Sequence, residues 1–170
     1  MRARSRYLSG ATGVVLLATA AAYTGSWEGE RLVAYRDSGG VPTICNGHTG
    51  PDVYMGLRLT HAQCEEIFKQ DLIAHETRLL ACAPELADPK RVPDDSYVAI
   101  NDWAFNVGTG AACKSTLIRK VKAGDLRGAC NELSRWVYVN GNAIAGLVNR
   151  RVKGTPGRIS ERALCLRGLG

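Results

Sequence analysis

Residues 28–50 read Glu28-Gly29-Glu30-Arg31-Leu32-Val33-Ala34-Tyr35-Arg36-Asp37-Ser38-Gly39-Gly40-Val41-Pro42-Thr43-Ile44-Cys45-Asn46-Gly47-His48-Thr49-Gly50. Trp27 to Arg36 predicts a short helix with Leu32 and Tyr35 on one face. Asp37-Ser38-Gly39-Gly40 is a turn. Val41 to Asn46 reads as an extended run and Gly47-His48-Thr49-Gly50-Pro51 as a second turn, together a small hairpin. Glu28 then lies on the helix, Asp37 just past its end and Thr43 in the hairpin. A helix followed by a hairpin folds back on itself, so the three can converge on one cleft. Two carboxylates and a hydroxyl suit glycoside hydrolysis: one acid protonates the leaving oxygen while the other carboxylate works on a water or on the sugar. The alternative is two surface acids and a strand threonine.

Downstream, Thr60 and Gln63 form a capping-box signal. It opens a long amphipathic helix from about His61 to Cys82, with Ile67, Leu72, Ile73, Leu79 and Leu80 as core candidates, and Pro84 beyond its end. Asp95 or Ser96 is expected to cap a helix running to about Phe105. Asn106 to Gly110 is a turn, and Ser115 to Ala123 is helical up to Gly124. Asp125 caps the next helix, which ends near Arg135, and Ser160 to Arg167 is a last helix. There are no repeats and no linker long enough to separate domains. The expectation is α+β: one small hairpin near the N-terminus, then mostly helices.

Upstream, Tyr7 to Trp27 is a run of 21 residues without charge, preceded by Arg2, Arg4 and Arg6. That is long enough to span a bilayer with the arginines on the cytoplasmic side. Ala18-Thr19-Ala20 and Ala20-Ala21-Ala22 also offer signal-peptidase sites. Thirteen of the 21 residues are Gly, Ala, Ser or Thr. Such a run is hydrophobic enough for export but weakly held in lipid.

Of 170 residues, 22 are Lys or Arg and 16 are Asp or Glu, and the apolar share of 45% suits a globular core. The +6 balance is uneven. The leader arginines carry +3, residues 141–170 carry +5, and the stretch between sums to −2. This is a basic leader and tail on a near-neutral body, the tail suited to an anionic wall polymer. No aromatic–basic interleaving supports a nucleic-acid partner. The six cysteines, Cys45, Cys64, Cys82, Cys113, Cys130 and Cys165, lean to an oxidising compartment. They form no C-x-x-C pair, and His48, His61 and His75 are not at zinc-ligand spacing, so no metal or cofactor is expected.

The spacing Glu28, eight residues, Asp37, five residues, Thr43 resembles the phage-type lysozyme family, glycoside hydrolase family 24. Glu28-Gly29-x-Arg31-Leu32, Tyr35-x-Asp37 and Thr43-Ile44-x-x-Gly47-His48-Thr49 carry the likeness. Phe105-Asn106-Val107-Gly108, Ser115-Thr116-Leu117, Gly124-Asp125, Gly146-Leu147-Val148-x-Arg150-Arg151 and Glu161-Arg162-x-Leu164-Cys165 extend it to the lambdoid endolysin branch. The resemblance implies a two-lobed fold with a long inter-lobe helix. It also implies hydrolysis of the β-1,4 bond between N-acetylmuramic acid and N-acetylglucosamine, with inversion, by a monomer without cofactor. On that pattern Glu28 is the general acid, Asp37 the base that holds water, and Thr43 helps to place the water. His48 either lines the cleft or is structural; Asn106 and Gly108 shape the opposite wall; Glu30 is solvated.

The same resemblance makes residues 1–26 a retained signal-anchor-release segment and 27–170 the catalytic domain. Residues 7–27 would hold the chain at the host inner membrane until release into the periplasm. Six cysteines allow fifteen pairings; the expected ones are Cys45–Cys64, Cys82–Cys113 and Cys130–Cys165. Cys45 beside His48 also permits a thiol nucleophile, and a non-catalytic wall-binding module is the third reading. One stretch departs from the pattern: residues 152–158, Val152-Lys153-Gly154-Thr155-Pro156-Gly157-Arg158, break the run from the arginine pair to Cys165. They are expected to form an exposed basic loop, which puts the Cys130–Cys165 pairing in question.

Overall fold

The computed structural model describes residues 3–37 and 39–170; Met1, Arg2 and Ser38 lie outside the described residues. Two clusters of buried side chains define two lobes. The smaller gathers Ala34, Ile44, Cys45, Val53 and Cys64 around a two-stranded antiparallel hairpin of β1 (Arg31–Arg36) and β2 (Pro42–Cys45). The larger is built on helices α1 (Gly10–Glu28), α3 (Asp94–Val107), α4 (Thr109–Cys113), α5 (Thr116–Lys122), α6 (Leu126–Glu132) and α8 (Glu161–Arg167), with the short α7 (Ala145–Val148) outside its core. Helix α2 (His61–Cys82) joins the lobes: Cys64 packs with the hairpin, while Phe68, Leu72, Leu79 and Leu80 enter the helical core. Its start is the expected capping box, with the Thr60 hydroxyl accepting from Gln63 N and the Gln63 side chain accepting from Thr60 N.

The expected helix over Trp27 to Arg36 does not form: only Trp27 and Glu28 are helical, and Arg31–Arg36 is a strand. Trp27 and Glu28 end α1, and Gly29 breaks the chain at φ 73°, a left-handed conformation suited to glycine. From Arg31 burial alternates, with Leu32 and Ala34 more enclosed than Arg31, Val33 and Arg36. This period of two is a strand's, and Val33 and Tyr35 favour it. The hairpin therefore turns at Asp37–Gly40, and the expected second turn follows β2 instead of closing the hairpin. Helix α3 begins at Asp94, so neither Asp95 nor Ser96 caps it: Asp95 pairs with Arg167 and the Ser96 hydroxyl donates to Cys165 O at 2.7 Å. Ser115, Asp125 and Ser160 do cap their helices. A two-residue ladder, β3 (Tyr138–Val139) with β4 (Asn142–Ala143), was not among the expected elements, although Asn140-Gly141 between the strands, with φ 49° and 80°, is a two-residue hairpin signal.

The uncharged N-terminal run is α1, and it packs on the helical lobe. Gly13, Leu16, Ala20 and Thr24 form its buried face, where small residues let the backbone approach closely. A Cβ at Gly13 would stand 2.6 Å from Arg6 O. Residues 5–7 are moored just before it. Buried Glu76 of α2 accepts from Arg6 N at 2.8 Å, from Tyr7 N at 3.1 Å, and from the Ser5 and Tyr97 hydroxyls. The Arg6 guanidinium donates to Val92 O at 2.7 Å, pairs with Asp94 and stacks 4.2 Å from the Tyr97 ring. Among the described residues no helix is long and apolar enough to cross a membrane. The small residues that permit the docking also lower the run's mean hydropathy.

The disulfides are Cys45–Cys64, Cys82–Cys113 and Cys130–Cys165, leaving no free cysteine. The thiol-nucleophile reading of Cys45 is thereby overturned. The interruption at 152–158 is real, but it leaves the Cys130–Cys165 pairing intact.

Candidate active site

Glu28 is the last residue of α1 and stands where the lobes meet. It lines a cleft of about 340 Å³ on the hairpin side with Glu30, Arg31, Tyr35, Cys45 and Asn46. It also lines one of about 440 Å³ on the helical side with Trp27, Asn106, Leu147, Arg150 and Arg158. Its carboxylate is about one-fifth exposed and lies 2.6 Å from Arg150 Nη1.

Arg150 is the centre of a buried ion cluster. Its Nη2 donates to Asp102 at 2.7 Å, and its Nε donates to Asp102 at 3.2 Å and to Glu161 at 3.1 Å. Arg151 also pairs with Glu161 and donates to Asn106 Oδ1 at 2.5 Å. Asp102, Arg151 and Glu161 are essentially fully buried. Burial, and then the nearby charge of Asp102, pushes the Glu161 carboxyl well above the usual range, against the pull of both arginines. Burial pulls the Arg150 pKa down, but Asp102, Glu28 and Glu161 outweigh it and hold the guanidinium firmly charged. Consecutive side chains on an α-helix point about 100° apart, so two adjacent inward arginines need a local change. Residues Asn149–Lys153 supply it as a π-helical turn, closed by Gly154 N on Asn149 O at 2.8 Å.

Asp37 and Thr43 stand on the hairpin. Asp37 Oδ1 accepts from Gly39 N at 2.8 Å and Val41 N at 2.9 Å, which builds the β1–β2 turn and fixes the carboxylate. Thr43 is buried opposite Tyr35, and its hydroxyl donates to Val41 O at 3.0 Å. Residues directly opposed in a ladder share a face, so Thr43 shares that of Tyr35, a cleft residue. Asp37 follows the end of β1, and neither Asp37 nor Thr43 is itself among the residues that line the two clefts. On the hairpin side, Asn46 Nδ2 donates to Gly29 O at 2.7 Å and ties the turn after β2 to the residue following Glu28.

His48 lines neither cleft. Its ring bonds Asp71 at 2.9 Å and Asp52 at 3.2 Å, which is the structural reading. Asn106 lines the helical-side cleft and accepts from Arg151. Gly108 lines neither cleft; it turns the chain at φ 82° between α3 and α4. Glu30 is not on a helix face: it pairs with His61 at the start of β1. Of the basic tail, Arg150 and Arg151 go into the buried cluster, while Lys153, Arg158 and Arg167 stay exposed; Arg162 bonds Asn131 and Arg167 pairs with Asp95 at the surface. The sequence showed Arg150-Arg151 but not its partners, because Asp102 and Glu161 lie 48 and 10 or 11 residues away along the chain.

An acidic residue gripped by a buried arginine, in a cleft between a hairpin lobe and a helical lobe, is the arrangement of a lysozyme-type glycoside hydrolase. The phage lysozyme family matches residues 25–154, and the chain belongs to that family. Relatives named SAR-endolysin from Bacteriophage PS119 and Enterobacteria phage P21 are 37% and 36% identical over 141 residues. That is 83% of this chain in both cases, and 77% and 78% of theirs. The one from Escherichia phage Mu is 42% identical over 119 residues, 69% of this chain and 65% of its own. A lysozyme variant of phage P22 superposes with TM-score 0.71 at 31% identity, covering 87% of this chain and 95% of that one. The active form of the P1 phage endolysin Lyz gives 0.72 at 25% identity, covering 92% of each.

Proposed function

We propose that the chain is a muramidase that cleaves the β-1,4 bond between N-acetylmuramic acid and N-acetylglucosamine in host peptidoglycan and so lyses the host. Glu28 is the general acid. As its proton passes to the leaving oxygen, the carboxylate forms 2.6 Å from the Arg150 guanidinium, which stabilises the charge where it develops. Asp37 holds the attacking water as general base, with its carboxylate oriented by two backbone donors. The Thr43 hydroxyl, its proton committed to Val41 O, keeps lone pairs for that water. A base acting through water inverts the anomeric centre, and such pairs stand ~6.5–9.5 Å apart. The observation that carries the reading is the Glu28–Arg150 pair at the junction of the two clefts.

Residues 7–27 are proposed to enter the host inner membrane first and then to leave it, after which the enzyme works in the periplasm. Val14 and Val15 on α1, and Leu8 just before it, remain two-thirds exposed, an apolar surface suited to lipid, while the small-residue face packs on the protein. In the bilayer, the helix bearing Glu28 would be held away from Arg150 and the cleft left incomplete. The test is clearing of chloroform-treated Gram-negative cells by wild type, Glu28→Gln and Asp37→Asn, with analysis of the released fragments. New reducing ends at muramic acid, lost in both variants, are expected. Clearing by Glu28→Gln at the wild-type rate, or anhydro products, would overturn the reading.

A further inference from the structure

The 152–158 interruption has no part in the chemistry above, yet it touches the helix that carries the acid. Thr155-Pro156-Gly157-Arg158 is a tight turn, with Thr155 N on Arg158 O and Arg158 N on Thr155 O, both at 2.9 Å. Proline presets the first corner, and Gly157 takes the second at φ 78°, as a type II turn requires. At Gly154 a Cβ would meet Arg158 O at 2.6 Å, so the base of the turn is also shaped by glycine. The expected exposed basic loop is thus also a preformed bracket.

Its contacts converge on the last turn of α1. Arg158 Nη1 donates to Ser26 O at 2.5 Å, and the guanidinium stacks 4.7 Å from the Trp27 ring. Arg158 Nε donates to Thr155 Oγ1 at 3.0 Å, which orients the fork. The Tyr23 hydroxyl, one turn earlier, donates to Ile159 O at 3.0 Å. The last carbonyls of a helix have no partner within it, and cations favour that end. α1 has no basic residue in its own last turn. Arg158 supplies both a donor and a positive charge from another stretch of the chain. Helix ends fray, and Glu28 is the terminal residue of this one. Its backbone is held on both sides: Asn46 grips Gly29 O from the hairpin lobe and Arg158 grips Ser26 O from the helical lobe.

We propose that Arg158 is a positioning residue for Glu28: the Thr155–Arg158 turn clamps the C-terminal end of α1 and so fixes where the acid stands in the cleft. The proposal rests on Glu28 being the acid. Misplacing a reacting group by about 1 Å costs up to about a hundredfold in rate, so a loosened helix end should act on turnover and not on binding.

The test uses the full chain and soluble, uncrosslinked peptidoglycan strands, with kcat and KM measured separately. Arg158→Ala is expected to lower kcat about tenfold with KM within about twofold. Arg158→Lys, which keeps a charge and a donor for Ser26 O, should recover kcat to within about threefold of wild type. Thr155→Val removes only the acceptor that orients Arg158 and should lower kcat about two- to threefold; it serves if the Ala variant fails to fold. An unchanged kcat in both Arg158→Ala and Thr155→Val overturns the clamp. So does a raised KM with kcat unchanged, which would mean direct contact with substrate, and so does a Lys variant no better than Ala. Glu28→Gln assayed in parallel separates the two claims, since its activity bears on the acid and not on the clamp.

Discussion

Glu76→Gln tests what holds the N-terminal segment to the enzyme. Glu76 is fully buried on α2 and accepts four hydrogen bonds, two from backbone N–H groups of Arg6 and Tyr7 and two from the hydroxyls of Ser5 and Tyr97. Three of the four come from the three residues 5–7, ahead of α1. A hydrogen bond to a charged group contributes about 1.5–3 kcal/mol. Glutamine keeps an oxygen but loses the charge, and it sets an amide against one of the donors. The expected loss is about 2–4 kcal/mol, less than the sum of four bonds because the geometry survives. At about 2–4 °C per kcal/mol for a chain of this size, the melt should fall by roughly 4–16 °C. The assay is thermal unfolding by circular dichroism, with limited proteolysis read by mass spectrometry. Cleavage should appear first within residues 3–20, while the disulfide-bonded remainder stays intact. Glu65→Gln on the exposed side of the same helix is the control and should change neither reading. A Glu76→Gln variant that melts and is cut like wild type would refute the reasoning.

Two further outcomes follow from the ion pairs. Arg150→Met should abolish activity and cost about 3–5 kcal/mol in urea unfolding, because it strands Asp102 and Glu161 without their shared cation in a buried site; a variant as stable as wild type would contradict the cluster's role. Burial lowers the His48 pKa, but Asp71 and Asp52 outweigh it, and the net shift is upward from 6.5. A raised folded pKa means stability that is fully present below the unfolded pKa and lost as pH rises through the folded one. The melting gap between wild type and His48→Gln should therefore be widest below about pH 6 and narrow above neutrality; a gap that widens with pH would reverse the assignment.

The regions of the fold legible in the sequence were those fixed by local chemistry. Thr60 and Gln63 marked the start of α2, and Ser115, Asp125 and Ser160 marked three other helices, because a cap is read from residues three apart. The stretch at 27–36 resists such reading because Leu32 and Tyr35 fit a helical spacing as well as a strand, and only pairing with β2 decides between them. Glu28, Asp37 and Thr43, the proposed acid, base and water-holding hydroxyl, stand out in the sequence as a spacing. The cluster that grips the acid does not, since Asp102, Arg150 and Glu161 meet only after α3, the π turn and α8 have packed. The charge of the C-terminal stretch divides for the same reason: folding takes Arg150 and Arg151 inside and leaves Lys153, Arg158 and Arg167 exposed. The bracket at 154–158 was visible as a departure, but its target on α1 was not.

The central claim is that Glu28 delivers the proton to the leaving oxygen. A direct measurement compares wild type and Glu28→Gln on two substrates: soluble peptidoglycan strands, and a synthetic muramyl glycoside whose dinitrophenolate leaving group departs without a proton. General acid catalysis contributes about 10²–10⁴ in rate. The variant should lose that factor on the natural strand and retain most of the wild-type rate on the activated glycoside. An equal loss on both substrates, or no loss on the natural one, would contradict the account.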